Sequence, residues 1–281
     1  MSGYIGKKIR LERIINRETK RTIIIPIDHG LTLGPIKGIE KDLGELVNKI
    51  ALGGADAVLG HIGIPLYAHR GYGPDIGLIL QLSGSTTLSP ESNYKVLVNT
   101  VKEAVKLGAD GVSIHINIGT RSDPEMLETL GRVSRECRDL GMPLLAMMYP
   151  RGENIENEYN VEVVKIAARV AAELGADIVK TNWTGDPDSF KEVVDGCMAP
   201  LIIAGGVKSD LRGILEITRQ SIDVGGAGVA FGRNVFQADD PTKVIRALYL
   251  IVHKNYKVDE AIKEVNLWFN LWSKLKELHI S

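Results

Sequence analysis

GGADAVLGH at 53–61, LGADGVSIHI at 107–116, LGADIVKTN at 174–182 and GGAGVAFGRN at 225–234 are four versions of one pattern: a Gly-Ala pair followed by a short, largely apolar run. The glycine of the pair falls at 54, 108, 175 and 226, so successive copies stand 54, 67 and 51 residues apart. A strand with its helix takes roughly 25–30 residues, so each interval holds two such units and predicts a second apolar run near its middle. One occurs each time: IGLILQLSG at 76–84, GMPLLAMMYP at 141–150 and APLIIAGG at 199–206. TIIIPIDHG at 22–30 precedes them all and brings the runs to eight.

These runs are near-continuous rather than alternating, the signature of parallel strands buried on both faces. Helical spacing of apolar residues predicts helices over 41–52, 95–107, 124–140, 160–174, 187–195, 210–224 and 241–254, and the Gly-Ala pairs suit helix C-terminal turns feeding the next strand. The fold class is therefore α/β, a TIM (β/α)8 barrel, expected as a single domain over 1–281. A doubly wound sheet is the rival, and the regular period together with the lack of an early GxGxxG argues against it. Residues 1–21 read as an extra N-terminal helix closing the barrel bottom. Residues 257–281 form a helical tail, with an apolar stripe of Val258, Ile262, Val265, Trp268, Trp272 and Leu275 that can pack on the barrel or on another subunit.

Composition narrows the class of activity. The 281 residues are 44% hydrophobic and 25% charged, and 34 Lys+Arg against 35 Asp+Glu leave a net charge of −1. Broad binding of nucleic acid or an anionic membrane needs a basic surplus that is absent here. No apolar run approaches the ~18 residues of a membrane span, and the N-terminus lacks the apolar centre of a signal peptide. Cys137 and Cys197 form no CxxC and no zinc spacing, and read as buried, reduced thiols of a cytoplasmic protein. No metal site and no cofactor is expected.

In such a barrel the chemistry lies at the C-terminal ends of the strands. The polar residues ending the runs are Asp28 and His29, His61, Ser83, His115 and Asn117, Tyr149 and Arg151, Lys180 and Asn182, Gly205, Gly206 and Lys208, and Gly232 and Arg233. The turns AGGVKSD and FGRN offer glycine backbone N–H groups and Arg233 to an anion at the place where such barrels commonly hold phosphate. Lys180 follows the apolar Asp-Ile-Val. Burial disfavours an ammonium ion, and a neutral amine attacks a carbonyl to form a Schiff base; the plainer alternative is a lysine that holds phosphate or reaches out to solvent. Tyr149 can relay protons, or only pack, and Asp28 can take a proton during carbon–carbon cleavage, or only pair with a cation. His29, His61 and His115 are weaker candidates that suit local hydrogen bonds. Together the lysine, tyrosine, carboxylate and cradle make a metal-free aldolase kit.

Five motifs, IPIDHGLTLGP, MMYPRG, VKTNWTGD, AGGVKS and FGRNVFQ, fall in order on these strands, and on them the chain resembles the archaeal-type class I aldolase family across about residues 5–256. AHRGYGPDIGLILQLSGST and SIHINIG draw it toward the branch that transfers a three-carbon ketone fragment, in aromatic amino-acid biosynthesis, rather than toward the fructose-bisphosphate aldolases, which typically carry Trp where this chain has Met147. The resemblance implies Lys180 as the Schiff-base lysine, Tyr149 as proton donor and Asp28 as proton acceptor. It implies a substrate lining of Asp28, His29, Gly30, Leu31, Thr32, Tyr149, Pro150, Arg151, Lys180, Thr181 and Asn182, with phosphate on Gly205, Gly206, Gly232 and Arg233. The implied reactants are a phosphorylated keto-sugar and L-aspartate 4-semialdehyde, and the implied assembly is a homo-oligomer, a pentamer or decamer. Val207 departs from the family, where Pro commonly follows the Gly-Gly. Two rival functions remain at this stage, fructose-bisphosphate cleavage and a barrel that binds phosphosugars without catalysis; the intact kit speaks against the second.

Overall fold

The computed structural model describes residues 2–68, 72–206 and 208–278, with side chains at 3–68, 72–206 and 208–270. Val207, part of the AHRGYG segment, and the side chains of Trp272 and Leu275 lie outside the described residues. Eight parallel strands close into a barrel: β1 (Thr22–Pro26), β2 (Ala57–Gly60), β3 (Gly77–Gln81), β4 (Gly111–Ile118), β5 (Leu144–Pro150), β6 (Ile178–Thr181), β7 (Leu201–Ala204) and β8 (Gly228–Ala230). Each strand pairs with its neighbours in sequence, and β1 pairs β8 from Thr22 opposite Gly228 to Ile24 opposite Ala230.

The strand period of two explains why the runs read as continuous. One set of side chains, including Ile24, Leu59, Ile79, Leu145, Ile178, Ile202 and Ala230, fills the barrel. The alternate set, including Ile23, Ile25, Val58, Leu80, Val112, Ile114, Val179 and Val229, faces the helices. Both sets are buried, so both registers are largely apolar until the strand ends, and Ser113, a polar side chain deep in β4, is hydrogen-bonded to Gln81.

The Gly-Ala repeats have a shared structural job. Gly54, Gly108, Gly175 and Gly225 hold φ of 92, 71, 88 and 101°, the left-handed turn that ends a helix; in the fourth copy the left-handed glycine is thus Gly225 rather than Gly226. The aspartate that follows in three copies reaches a neighbouring strand's first amides. Asp56 accepts from the Ile23 N–H at 2.7 Å, Asp110 from Leu78 at 2.9 Å and Asp177 from Leu144 at 2.8 Å. Each also meets a cationic or imidazole group, His253 at 2.9 Å, Arg13 at 2.6 Å and Lys7 at 2.9 Å. Two of those three partners come from the helix Ser2–Ile14, whose last residue, Ile14, is fully buried with the interior set at the N-terminal end of the barrel.

Several boundaries differ from the sequence reading. β1 ends at Pro26, and His29–Leu33 forms a short helix, so Asp28 and His29 stand beyond the strand. β2 is followed only by the five-residue helix Gly63–Tyr67. The helix expected from 95 begins at Val101, because Val96–Leu97 pairs antiparallel with Ser83–Gly84 and Thr100 forms a capping box with Glu103. β8 is three residues long, and Arg233–Phe236 turns into a helix. Cys137 is buried while Cys197 is half-buried, and both thiols are free. The tail helix Val258–Leu278 packs through Ala261 and Val265, both fully buried, with Ile262 and Phe269 partly so. Among the described residues no helix is long and apolar enough to cross a membrane.

Candidate active site

A cavity of about 710 Å³ opens at the C-terminal end of the barrel. Strand alternation decides which side chains reach it. On β6, Ile178 points inward, and so do Lys180 and Asn182; Thr181 points out and donates its hydroxyl to the Met148 carbonyl at 2.9 Å. On β5, Met147, Tyr149 and, past the strand, Arg151 line the cavity, whereas Pro150 does not.

The structure thus brings together Asp28, His29, Thr32, Tyr149, Arg151, Lys180, Asn182, Gly205, Gly206, Gly232 and Arg233, with His115 and Lys208. Gly30, Leu31 and His61 line a smaller adjoining pocket of about 120 Å³ that also touches Asp28. Thr181 and Pro150 line neither pocket. Of the remaining strand-end residues, Ser83 accepts the His115 N–H at 2.9 Å, and Asn117 binds the His115 ring at 3.0 Å and the Asn93 carbonyl at 2.7 Å; both are props for His115.

Lys180 is 6% exposed, and among the described residues its Nζ makes a single polar contact, with the Met147 thioether sulfur at 3.7 Å. Lys180 faces the cavity, where an incoming carbonyl would meet its Nζ. Tyr149 is 7% exposed, with the His115 ring 5.0 Å away on one side and the Arg151 guanidinium 4.7 Å from its centroid on another. Burial pushes the His115 imidazole down to about 3, reinforced by Lys95 and Arg151 against the Asn117 hydrogen bond and Asp28. His115 is therefore a neutral wall that fixes Tyr149. Burial alone would raise the Asp28 carboxyl, but His29, Lys180 and His61 outweigh it and hold the group well below the usual carboxylate range. The nearest of them, His29 Nδ1, lies 3.4 Å from Asp28 Oδ1. Asp28 is thus an ionised base at neutral pH.

On the β7–β8 side, Gly206 has φ +52°, and a Cβ on Gly232 would come within 2.5 Å of the His29 ring and 2.9 Å of the Pro26 carbonyl, so only glycine fits there. Asn234 ties the two turns together, donating to the Gly205 carbonyl at 2.8 Å and accepting the Ser209 N–H at 3.1 Å.

Four polar lining residues escaped the sequence reading: Lys95, Glu158, Tyr159 and Asn234. Lys95 is 8% exposed and donates to Ser85 Oγ at 2.6 Å and the Ser92 carbonyl at 2.8 Å. Glu158 receives Arg151 Nε at 2.9 Å, while Asn182 donates to its carbonyl at 3.0 Å and reaches its carboxylate at 3.4 Å. Lys95 and Glu158 come from the loops after β3 and β5, where a polar residue looks like a solvated one. Asn234, directly after Arg233 in FGRN, was within reach of the motif. Among the described residues no group of three His, Cys, Asp or Glu could hold a metal ion.

Residues 22–238 match the family described as DeoC/LacD family aldolase. A relative from Archaeoglobus fulgidus named 2-amino-3,7-dideoxy-D-threo-hept-6-ulosonate synthase 1 is 43% identical over 94% of this chain and 97% of its own. A synthase of the same name from Halobacterium salinarum is 40% identical over 93% and 97%. A solved structure of a Schiff-base-forming fructose-1,6-bisphosphate aldolase superposes with a TM-score of 0.82 at 34% identity, covering 88% of this chain and all of that one.

Proposed function

The chain belongs to the DeoC/LacD aldolase family, and from that membership we propose that it is a Schiff-base transaldolase-type synthase. It transfers a three-carbon ketone fragment from 1-deoxy-D-threo-hexo-2,5-diulose 6-phosphate to L-aspartate 4-semialdehyde and forms 2-amino-3,7-dideoxy-D-threo-hept-6-ulosonate. That product lies on a route to 3-dehydroquinate and the aromatic amino acids. The carrying observation is Lys180, a buried lysine facing the cavity whose Nζ, among the described residues, is hydrogen-bonded to a thioether sulfur alone.

In this reading the Lys180 amine attacks the C2 carbonyl of the donor, and Tyr149 moves the protons that turn the carbinolamine into an iminium ion and water. Asp28 takes the C4 hydroxyl proton as the C3–C4 bond breaks, and a phosphorylated three-carbon aldehyde leaves. The enamine left on Lys180 attacks the aldehyde carbon of L-aspartate 4-semialdehyde, and the new alkoxide takes the proton back. Water then hydrolyses the iminium and frees Lys180. Gly205, Gly206, Gly232 and Arg233 hold the donor's phosphate, with Thr32, Arg151 and Asn182 along the substrate. The enzyme works as a homo-oligomer in the cytoplasm, a compartment that suits its two free thiols.

Borohydride added with the donor sugar should leave a reduced adduct on Lys180, located by mass spectrometry; an adduct elsewhere, or none, sinks the Schiff-base scheme. Fructose-bisphosphate cleavage on the same machinery is the second reading, and Met147 against Lys180 in place of the aldolases' tryptophan favours the first. Assays with both donors, with and without the semialdehyde, separate the two.

A further inference from the structure

A transferase of this kind must hold two unlike aldehydes in turn at one reacting carbon, a phosphate-bearing one that leaves and an amino-acid one that arrives. The inference below rests on that reading. In an eight-stranded ring the turns after β7 and β8 face the loops after β3 and β4, and the loops after β5 and β6 join the two places; the glycine cradle with Arg233 stands at the first, Lys95 at the second, and Arg151 with Glu158 on the β5 loop against Asn182. The β7–β8 side offers Gly205, Gly206, Gly232, Lys208 and Arg233, with no carboxylate among its lining residues. The loops after β3 and β5 offer Lys95 and Arg151, with the Glu158 carboxylate against Arg151 Nε.

Asp28 and Glu158 are the acids lining the cavity among the described residues. Asp28 is enclosed by His29, His61 and Lys180 and serves the proton transfer. Glu158 has no such duty, yet it is held in place by Arg151 Nε and Asn182. Among the described residues the Arg151 guanidinium donates only through Nε, which leaves its two Nη groups for an anion. We propose that Glu158, with Arg151 and Lys95, is the subsite that recognises the α-amino-acid head of the acceptor, Glu158 taking the ammonium and Arg151 and Lys95 the carboxylate. The ammonium finds no anionic partner in the glycine cradle and goes to Glu158, while the donor's phosphate has the cradle's amides and Arg233. The two aldehydes share the position of the reacting carbon and diverge beyond it. Glu158 is then a specificity-determining residue, and it explains why an amino acid is carried into the product.

The test compares two acceptors, L-aspartate 4-semialdehyde and 4-oxobutanoate, its counterpart without the amino group. Charge-assisted hydrogen bonds carry about a tenfold to hundredfold effect, so Glu158→Gln should raise KM for the semialdehyde by at least about tenfold and bring it level with that for 4-oxobutanoate. Equal weakening of both acceptors, or no change in either, overturns the assignment, because a merely structural Glu158 would not tell them apart. Competition on the unaltered protein gives an answer even if that variant does not fold: L-2-aminobutyrate should compete with the semialdehyde, and butyrate should not. Equal competition by the two also overturns it. The underlying reading fails separately, by the absence of a borohydride-trapped donor adduct in the unaltered chain.

Discussion

At the scale of single residues, the mouth of the barrel divides its groups by the work a proton has to do. Tyr149 is held by the His115 ring and the Arg151 guanidinium, so Tyr149→Phe removes a hydroxyl and leaves the ring packed. Steady-state kinetics should give a kcat lower by ~10²–10⁴-fold with KM little changed; a near-normal kcat would reduce Tyr149 to packing and move the proton relay to Asp28. Lys95 supplies a pH test. Burial, then Arg151, pulls its pKa down to about 8, with Asp28 opposing. Above pH 8 the folded protein loses this charge, so KM for the semialdehyde should climb between pH 7 and 9, and Lys95→Arg should flatten the rise. Between pH 8 and roughly 10.4 the unfolded chain binds the additional proton, so the contribution of Lys95 to stability grows with pH in that window. One proton thus moves binding and stability in opposite directions, which urea titrations at pH 7.5 and 9.5, compared with those of Lys95→Met, can separate.

At the scale of elements, the aspartates of the Gly-Ala turns carry the heaviest structural duty. Asp177→Ala would leave the Leu144 N–H without its acceptor and Lys7 without its partner. The expected cost is about 1–3 kcal/mol, read as a lower urea midpoint at unchanged slope, with kcat unaffected because this turn is at the end of the barrel away from Lys180. Removing an exposed partner, as in Glu192→Ala opposite Lys165, should leave the urea midpoint nearly unchanged, because solvent screens such a pair. Eight strands and the longer helices between them are legible in the chain because a doubly buried strand is largely apolar until it ends. The same rule points to Lys180, Tyr149 and Asn182. It fails where the backbone leaves the strand. Thr181 and Pro150 share the motifs of Lys180 and Tyr149, but alternation turns them outward. Asp28 reaches the cavity from beyond a strand that stops at Pro26. Lys95 and Glu158 stand on loops, whose approach to the mouth is set by tertiary packing and leaves no periodic trace.

At the scale of the whole molecule, Ile166 and Met198 are 56% and 62% exposed, apolar surface that assembly would shield from water. Sedimentation of the proposed homo-oligomer, a pentamer or decamer, should give a mass five or ten times 30.7 kDa, and a single species of one chain's mass would refute it. The barrel's closure has a further consequence, for how the protein is made. Thr22 pairs across the barrel seam with Gly228, close to the far end of the chain. A ribosome adding ~5–20 residues per second takes roughly 10–40 s to travel that distance, and until it has done so the first strand keeps one bare edge of hydrogen-bonding groups. A message cut short after β7 therefore yields a sheet open on both sides, a template for clumping with its siblings. A product of that length would need a chaperone's cover for as long as it lasts, while a chain released after β8 shuts its own seam.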